Sequence, residues 1–217
     1  MIIIQVREQV KVIFLDAGGV LFDTPIKGED RIRNLLTGRG YQLEVINEAI
    51  KLAKHGTKAS FITTWCEEEN YYKSFYGTIA REIGEESLTQ ELLYLTHYAV
   101  HCELFQEVID VLEELSKKYR LAVISNAMPS MDWVFDKLGI RKYFYTMILS
   151  AFVKESKPDE AIYEIALDQA QALRQESIFI DDKMENIEGS ERIGIKGLHL
   201  ERDKKNLFEL LRDEQLL

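Results

Sequence analysis

Cysteine is scarce in this chain: Cys66 and Cys102 are the only two thiols, and they form no CxxC pair. That excludes a disulfide scaffold and points to a reducing compartment with free, buried thiols. Positive charge is short as well, 27 Lys and Arg against 37 Asp and Glu, a formal net charge of -10. Nucleic acid is therefore excluded as the main partner, because phosphate-backbone binding needs a clustered excess of Lys and Arg. An anionic substrate needs its positive charge concentrated locally. No apolar run is long enough to cross a bilayer, and Met1-Ile2-Ile3-Ile4 is interrupted at Gln5, Arg7 and Glu8, too early for a signal peptide. No membrane partner is expected, and a cytoplasmic location is. Residues 1–9 read as an extra edge strand or a frayed extension. Repeats and low-complexity tracts are absent too. What remains is 217 residues of ordinary apolar content, 46%, enough for one sizeable core or a core with a small accessory unit.

From residue 11 onward, short runs rich in Val, Ile and Phe alternate with stretches of helical period, the pattern of an α/β protein with a mostly parallel sheet. Strands are expected at 11–15, 121–125, 146–150, 178–180 and 196–200, and helices at 106–118, 131–138, 159–167, 184–192 and 206–212. The stretch 24–102 holds no convincing strand and reads as consecutive amphipathic helices, a second, all-helical subdomain entered through Pro25 and Gly28. An insert straight after the first strand is expected to lie over the C-terminal end of the sheet and close a site there against water.

The strand ends carry the chemistry. Asp16 follows Lys11-Val12-Ile13-Phe14-Leu15 and precedes Ala17-Gly18-Gly19-Val20, placing a carboxylate where a buried strand opens into a tight turn. Open parallel sheets hold their ligands at such strand ends. Ser125-Asn126 and Asp181-Asp182 repeat the arrangement, and Lys157 lies between them in Ser156-Lys157-Pro158-Asp159. Nucleophile, hydroxyl, cation and acid pair are the parts that phosphoryl transfer through an aspartate needs. A carboxylate attacks phosphorus once the charge on both partners is neutralised, forming an aspartyl-phosphate that water hydrolyses. Mg2+ suits the task, being hard, octahedral and content with a few carboxylates, a carbonyl and waters. Asp16 and Asp182 would supply the carboxylates and Gly18 the carbonyl. Lys157 would act as a point charge on the transferring group, with the Ser125 hydroxyl and nearby backbone N–H groups on its oxygens.

Taken singly, each residue has an ordinary structural use. Asp16 suits a turn, Ser125 a strand end, Lys157-Pro158 a solvated cation before a helix, and Asp181-Asp182 a helix cap. Together, the segments Phe14-Leu15-Asp16-Ala17-Gly18-Gly19-Val20-Leu21-Phe22-Asp23, Ile124-Ser125-Asn126, Lys157-Pro158 and Phe179-Ile180-Asp181-Asp182 with Asn186-Ile187-Glu188-Gly189 resemble the four motifs of the haloacid dehalogenase superfamily. The resemblance runs from residue 11 to residue 200. It implies a Rossmann-like parallel-sheet core, residues 10–23 and 103–217, a helical cap, residues 24–102, and Mg2+. Asp16 matches the nucleophile, Ser125 the phosphate-binding hydroxyl, Lys157 the motif cation and Asp182 the distal metal ligand. Asp181 and Asn186 match positions that support the metal shell, and Asn126 and Asp23 complete the expected substrate-binding set.

One position departs from that pattern. Most phosphatases of the superfamily carry a second Asp two residues after the nucleophile as general acid and base, and here Gly18 stands there. General acid-base help is worth roughly a hundred- to ten-thousand-fold. Substrates that leave without much protonation, anomeric sugar phosphates or acyl phosphates, become the better candidates, with a water, a substrate group or Asp23 as stand-in. The Asp-x-Gly pattern is similar to a branch that includes alpha-D-glucose-1-phosphatase.

The expected function is a Mg2+-dependent phosphomonoesterase acting on a small phosphorylated metabolite, as a monomer or homodimer. The alternatives are a 2-haloacid dehalogenase-type hydrolase, against which the Asp181-Asp182 pair argues, or a weakly active phosphometabolite-binding protein. Within the insert, Phe61, Trp65, Tyr72, Phe75, Tyr76 and Ile79 fall near helical spacing and are expected in its core. Arg31, Arg33 and Arg39 are expected on a solvated helix face, and His97 and His101 as packed or solvated histidines.

Overall fold

The computed structural model describes residues 9–56 and 61–217, so the expectation of an edge strand or extension at residues 1–9 falls almost wholly outside the described residues. The strands are β1 Val12–Leu15, β2 Phe22–Asp23, β3 Glu103–Leu104, β4 Arg120–Ser125, β5 Phe144–Leu149, β6 Ser177–Asp181 and β7 Lys196–His199. Five of them form one sheet in the order β5-β4-β1-β6-β7, with every neighbouring pair parallel. The chain divides into two compact units.

The first unit comprises the segment ending at Asp23, Leu104–Ala127 and Leu138–Leu217, and contains the sheet. All four residues of β1 are buried, as are all five of β6, which fits central strands covered on both faces. Val12 and Phe14, two apart and therefore on one face, pack with Ala122, Ile124 and Phe179 against Ile162, Tyr163 and Ala166 of the helix Glu160–Ala170 and Ile187 of the helix Met184–Arg192. The chain leaves β1 for β4 on one side and later returns to β6 on the other, so the topological switch point lies at the C-terminal end of β1. The strand expected at 146–150 begins earlier, at Phe144, and ends at Leu149; Ser150 instead opens the short helix Ser150–Val153.

The second unit is Thr24–Glu103 together with Met128–Lys137. The segment 128–137, expected with the sheet, thus groups with the helices. Its core joins Ile32 and Leu36 of the helix Gly28–Gly38, Ile46, Ala49 and Ile50 of Leu43–Gly56, Tyr76 and Ile79 of Trp65–Ile83, and Leu88 and Leu92 of Leu88–Thr96. The Trp65–Ile83 helix starts with a capping box, in which Thr64 and Glu67 satisfy each other's backbone N–H groups. Tyr76 and Ile79 are core residues as expected, whereas Phe61 and Trp65 are 41% and 52% exposed, because they precede or open the helix rather than sit on its inner stripe. Arg31 departs the other way: it is buried at 7% exposure, with Nε donating to the Thr96 carbonyl at 2.8 Å and Nη1 to the Ile26 carbonyl. Of the thiols, Cys102 is buried and Cys66 exposed. His97 is packed, its ring 4.5 Å from Tyr72 and 5.0 Å from Tyr98. No helix among the described residues is long and apolar enough to cross a membrane.

Candidate active site

Sheet register assembles the site. Leu15 pairs with Val123 on one side and Ile180 on the other, so Asp16, Ser125 and Asp181 all emerge at the same edge. The Asp16 N–H still donates to the Ile180 carbonyl at 2.9 Å, holding the first residue past β1 in line with the sheet. Beyond it the chain turns back, with the Leu21 N–H on the Ala17 carbonyl and the Gly19 N–H on the Phe22 carbonyl.

Lys157 is the centre of the arrangement. Its Nζ lies 2.7 Å from Asp16 Oδ1 and 2.7 Å from Asp181 Oδ2, and the residue is only 4% exposed. A buried ammonium persists when its charge is paired and its donors are used, as here. The remaining Asp181 acceptors are also taken: Asn186 Nδ2 reaches both carboxylate oxygens at 3.0 Å, and the Lys183 N–H donates to Oδ1 at 2.8 Å. Asp181 is therefore a saturated, fully buried carboxylate that fixes Lys157.

The loop bearing Lys157 is held from two sides. Asn126 Nδ2 donates to the Lys157 carbonyl and its Oδ1 accepts from the Lys157 N–H, each at 2.8 Å. Asn126 thus spends both ends of its amide on positioning Lys157, although its sequence position had suggested substrate contact. On the other side Gly189 brings the helix Met184–Arg192 against the Pro158 carbonyl, where an added Cβ would stand 2.6 Å away. The Tyr163 hydroxyl donates to the Asn186 carbonyl at 2.7 Å and steadies the same turn. The Lys157-Pro158 peptide bond is cis.

Asp16, Asp181 and Asp182 can each offer an oxygen within 4.8 Å of the others. Burial pushes the Asp16 carboxyl up; Lys157 opposes this and Asp181 adds to it. Burial likewise raises Asp182, and the charges of Asp16 and Asp181 raise it further. Asp182 Oδ1 is occluded and has no hydrogen-bond partner, and among the described residues it is the one buried side-chain polar atom left so. An orphaned carboxylate oxygen beside two other carboxylates suits a hard cation with oxygen ligands. Gly19 makes this possible: at φ +82° it lies against Asp182, where a Cβ would come within 2.4 Å of Oδ2. Ser125 is buried at the end of β4, Gly18 forms an isolated bridge with Phe22, and Asp23 ends β2, outside the carboxylate group.

Sequence reasoning missed Arg202. Its guanidinium donates to the Gly19 carbonyl at 3.1 Å through Nε, to the Val20 carbonyl through Nη2 and to Glu107 through Nη1, and it lies 3.6 Å from the centroid of the Phe105 ring. It ties down the turn that follows Asp16. Nothing in the sequence marks an arginine 183 residues away as a partner of that turn. His199, whose Nε2 lies 3.0 Å from the Asp182 carbonyl, was missed for the same reason.

A family model described as haloacid dehalogenase-like hydrolase matches residues 57–199, a span that begins downstream of Asp16. Among curated proteins, the phosphorylated carbohydrates phosphatase of Thermotoga maritima is 28% identical over 133 residues, covering 54% of this chain and 61% of the relative. The glyceraldehyde 3-phosphate phosphatase of Methanothermobacter thermautotrophicus is 31% identical over 136 residues, 59% of this chain and 60% of the relative. (S)-2-haloacid dehalogenase 2 of a Pseudomonas species is 30% identical over 109 residues, 49% of this chain and 47% of the relative. The chain thus spans between about half and three fifths of the length of these relatives. A family enzyme from Bacteroides thetaiotaomicron shares the fold at TM-score 0.69 and 18% identity, over 94% of this chain and 99% of that one. The Bacillus subtilis hydrolase YfnB, solved with magnesium bound, does so at TM-score 0.67 and 15% identity, over 95% and 99%.

Proposed function

The chain belongs to the haloacid dehalogenase-like hydrolases, and on that premise we propose that it is a Mg2+-dependent phosphomonoesterase of a small phosphorylated metabolite. The observation that carries this reading is the Lys157 ammonium shared at 2.7 Å between Asp16 and Asp181, beside the unpartnered Asp182 oxygen. Asp16 is the nucleophile: its carboxylate attacks phosphorus, the leaving oxygen departs, and water then hydrolyses the aspartyl-phosphate. Lys157 opposes the effect of burial on the Asp16 carboxyl and offers positive charge to the incoming group. Ser125 holds a phosphoryl oxygen at the neighbouring strand end. Asp16, Asp182 and the Gly18 carbonyl would hold Mg2+, which supplies charge neutralisation when bound. Asp181 and Asn186 orient the lysine and the turn around it.

Support for a sugar-phosphate substrate comes from the two phosphatase relatives, whose names specify phosphorylated carbohydrates and glyceraldehyde 3-phosphate. Gly18 in place of a proton donor favours anomeric or acyl phosphates among them. A dehalogenase reading draws on the match to the Pseudomonas enzyme; the three clustered carboxylates weigh against it, because they repel a carboxylate substrate.

The deciding experiment measures phosphate release from aryl, acyl, anomeric and alkyl phosphates, with EDTA and Asp16→Asn as controls. Release abolished by both supports the phosphatase. Metal-independent halide release from 2-chloropropionate, or phosphate release no greater than that of folded Asp16→Asn, overturns it in favour of the dehalogenase or the binding protein respectively.

A further inference from the structure

The helical unit has a pocket of its own, about 200 Å3, lined by Gly28, Arg31, Ile32, Tyr72, Phe75, Tyr76 and others. Its volume is below the range of sites for drug-sized ligands, so its occupant is small. Arg31 is over nine-tenths buried, and among the described residues no carboxylate pairs with it; its recorded partners are the carbonyls of Thr96 and Ile26, reached through Nε and Nη1. Two carbonyls disperse part of the charge and leave Nη2 without a partner. Nη2 is not occluded either, since the only occluded, unpartnered side-chain polar atom among the described residues is on Asp182. The bare Cα of Gly28 leaves room beside Nη2, where even an added Cβ would lie 4.0 Å away.

The Tyr72 hydroxyl is in the same condition, with no hydrogen-bond partner among the described residues and no occlusion, whereas the Tyr76 hydroxyl is hydrogen-bonded to the Thr96 side chain. Burial raises both phenols above their ordinary range, and the one with a free hydroxyl, Tyr72, remains a protonated donor at neutral pH. Their rings stack with centroids 5.8 Å apart at 18°, and Phe75 lies edge-on to Tyr76 at 5.2 Å. Glu29, also at the rim, has its charge engaged by Arg33 and Lys54.

We propose that this pocket binds a small organic carboxylate, its two oxygens met by Arg31 and the Tyr72 hydroxyl and its compact apolar body packed among Ile32, Phe75 and the tyrosine rings. A buried guanidinium with one free edge and one neutral donor matches a monoanion. A phosphate dianion brings more charge and more acceptors than these groups satisfy. The inference does not depend on the phosphatase reading, because no residue of the carboxylate group around Asp16 takes part.

The test is ligand-observed NMR and calorimetry on the metal-free full chain, with benzoate as probe and benzamide as its neutral isostere. Saturable benzoate binding is expected, at least tenfold tighter than benzamide and equal in wild type and Asp16→Asn. Tyr72→Phe, which removes one hydroxyl and keeps the ring, is expected to weaken it roughly three- to tenfold. Arg31→Gln is expected to abolish it in protein shown by thermal melting to be folded; if that variant does not fold, Tyr72→Phe decides. Benzamide binding as tightly as benzoate, no saturable binding, binding lost in Asp16→Asn, displacement by equimolar inorganic phosphate, or no weakening in Tyr72→Phe each overturns the proposal.

Discussion

Asn126 grips the backbone of Lys157 as a strand neighbour would, donating to its carbonyl and accepting from its N–H, both at 2.8 Å. The side chain of one motif thereby sets the main chain of another, and the ammonium that meets Asp16 is aimed from a residue that need not touch substrate. Asn126→Ala is expected to cost about 1–3 kcal/mol of stability for the two lost bonds. It should also lower phosphate release by roughly tenfold or more, because a misplaced cation loses its effect in the transition state. Urea unfolding and steady-state kinetics check the two halves separately. A variant that loses stability and keeps full activity would show that Lys157 is positioned by other contacts.

Gly18 has nothing within 4 Å of an added Cβ, so a side chain can start there without a clash. Restoring a proton donor there by Gly18→Asp should improve hydrolysis of alkyl phosphates more than of anomeric ones, up to about a hundredfold. The measurement is the ratio of kcat/KM between the two classes, before and after. An equal gain on both would sink the leaving-group argument.

Gly19→Ala tests the close approach to Asp182. The new methyl meets Asp182 Oδ2 at 2.4 Å and sits on a backbone with φ of +82°, which costs of order 1–3 kcal/mol. Displacing Asp182 should weaken Mg2+-induced thermal stabilisation and activity together. Ordinary Mg2+ response in this variant would remove Asp182 from the metal site.

Asp182→Asn separates stability from function. Burial and the charges of Asp16 and Asp181 disfavour the ionised Asp182 carboxyl in the metal-free protein. Neutralising it should raise the metal-free melting temperature by about 2–4 °C, the response to roughly 1 kcal/mol in a domain of this size, the half-buried site being partly screened. It should also abolish stabilisation by Mg2+. Differential scanning calorimetry with and without the ion reads both, and a lower metal-free melting temperature would contradict the repulsion.

Burial pushes the Glu107 carboxyl up, but hydrogen bonds from its own N–H, Arg202 and the Leu207 N–H more than offset this and hold it below the usual carboxylate range. A depressed folded-state value stabilises the protein above the unfolded carboxylate pKa and is lost as pH falls through the folded one. Wild type should therefore exceed Glu107→Gln in melting temperature at neutral pH, and the gap should close on acidification below about 4.5, the ordinary value. A gap independent of pH would assign the effect to packing.

The parallel sheet and the strand-end residues were legible in the sequence because both rest on local patterns. Buried runs such as Val12–Leu15 announce a central strand, and Asp16, Ser125 and Asp181 then fall at one edge by register. Burial of Arg31 was not legible: one arginine among three on a polar-looking stretch gives no sign that the carbonyls of Ile26 and Thr96 will enclose it. The role of Asn126 was hidden for a related reason, since its partner is main chain, which every residue has. Grouping of Met128–Lys137 with the helices rests on such a contact too: the buried Glu68 carboxylate accepts the Ser130 N–H at 2.7 Å and its hydroxyl as well.

The hold of Arg202 on Gly19 and Val20 bears on the order in which the molecule is made. On the ribosome the turn after Asp16 emerges first, and the guanidinium that fastens it follows 183 residues later. A nascent chain halted before that point has the aspartate but not the fastened turn around it. The turn after Asp16 thus takes its fastened form only once Arg202 has emerged.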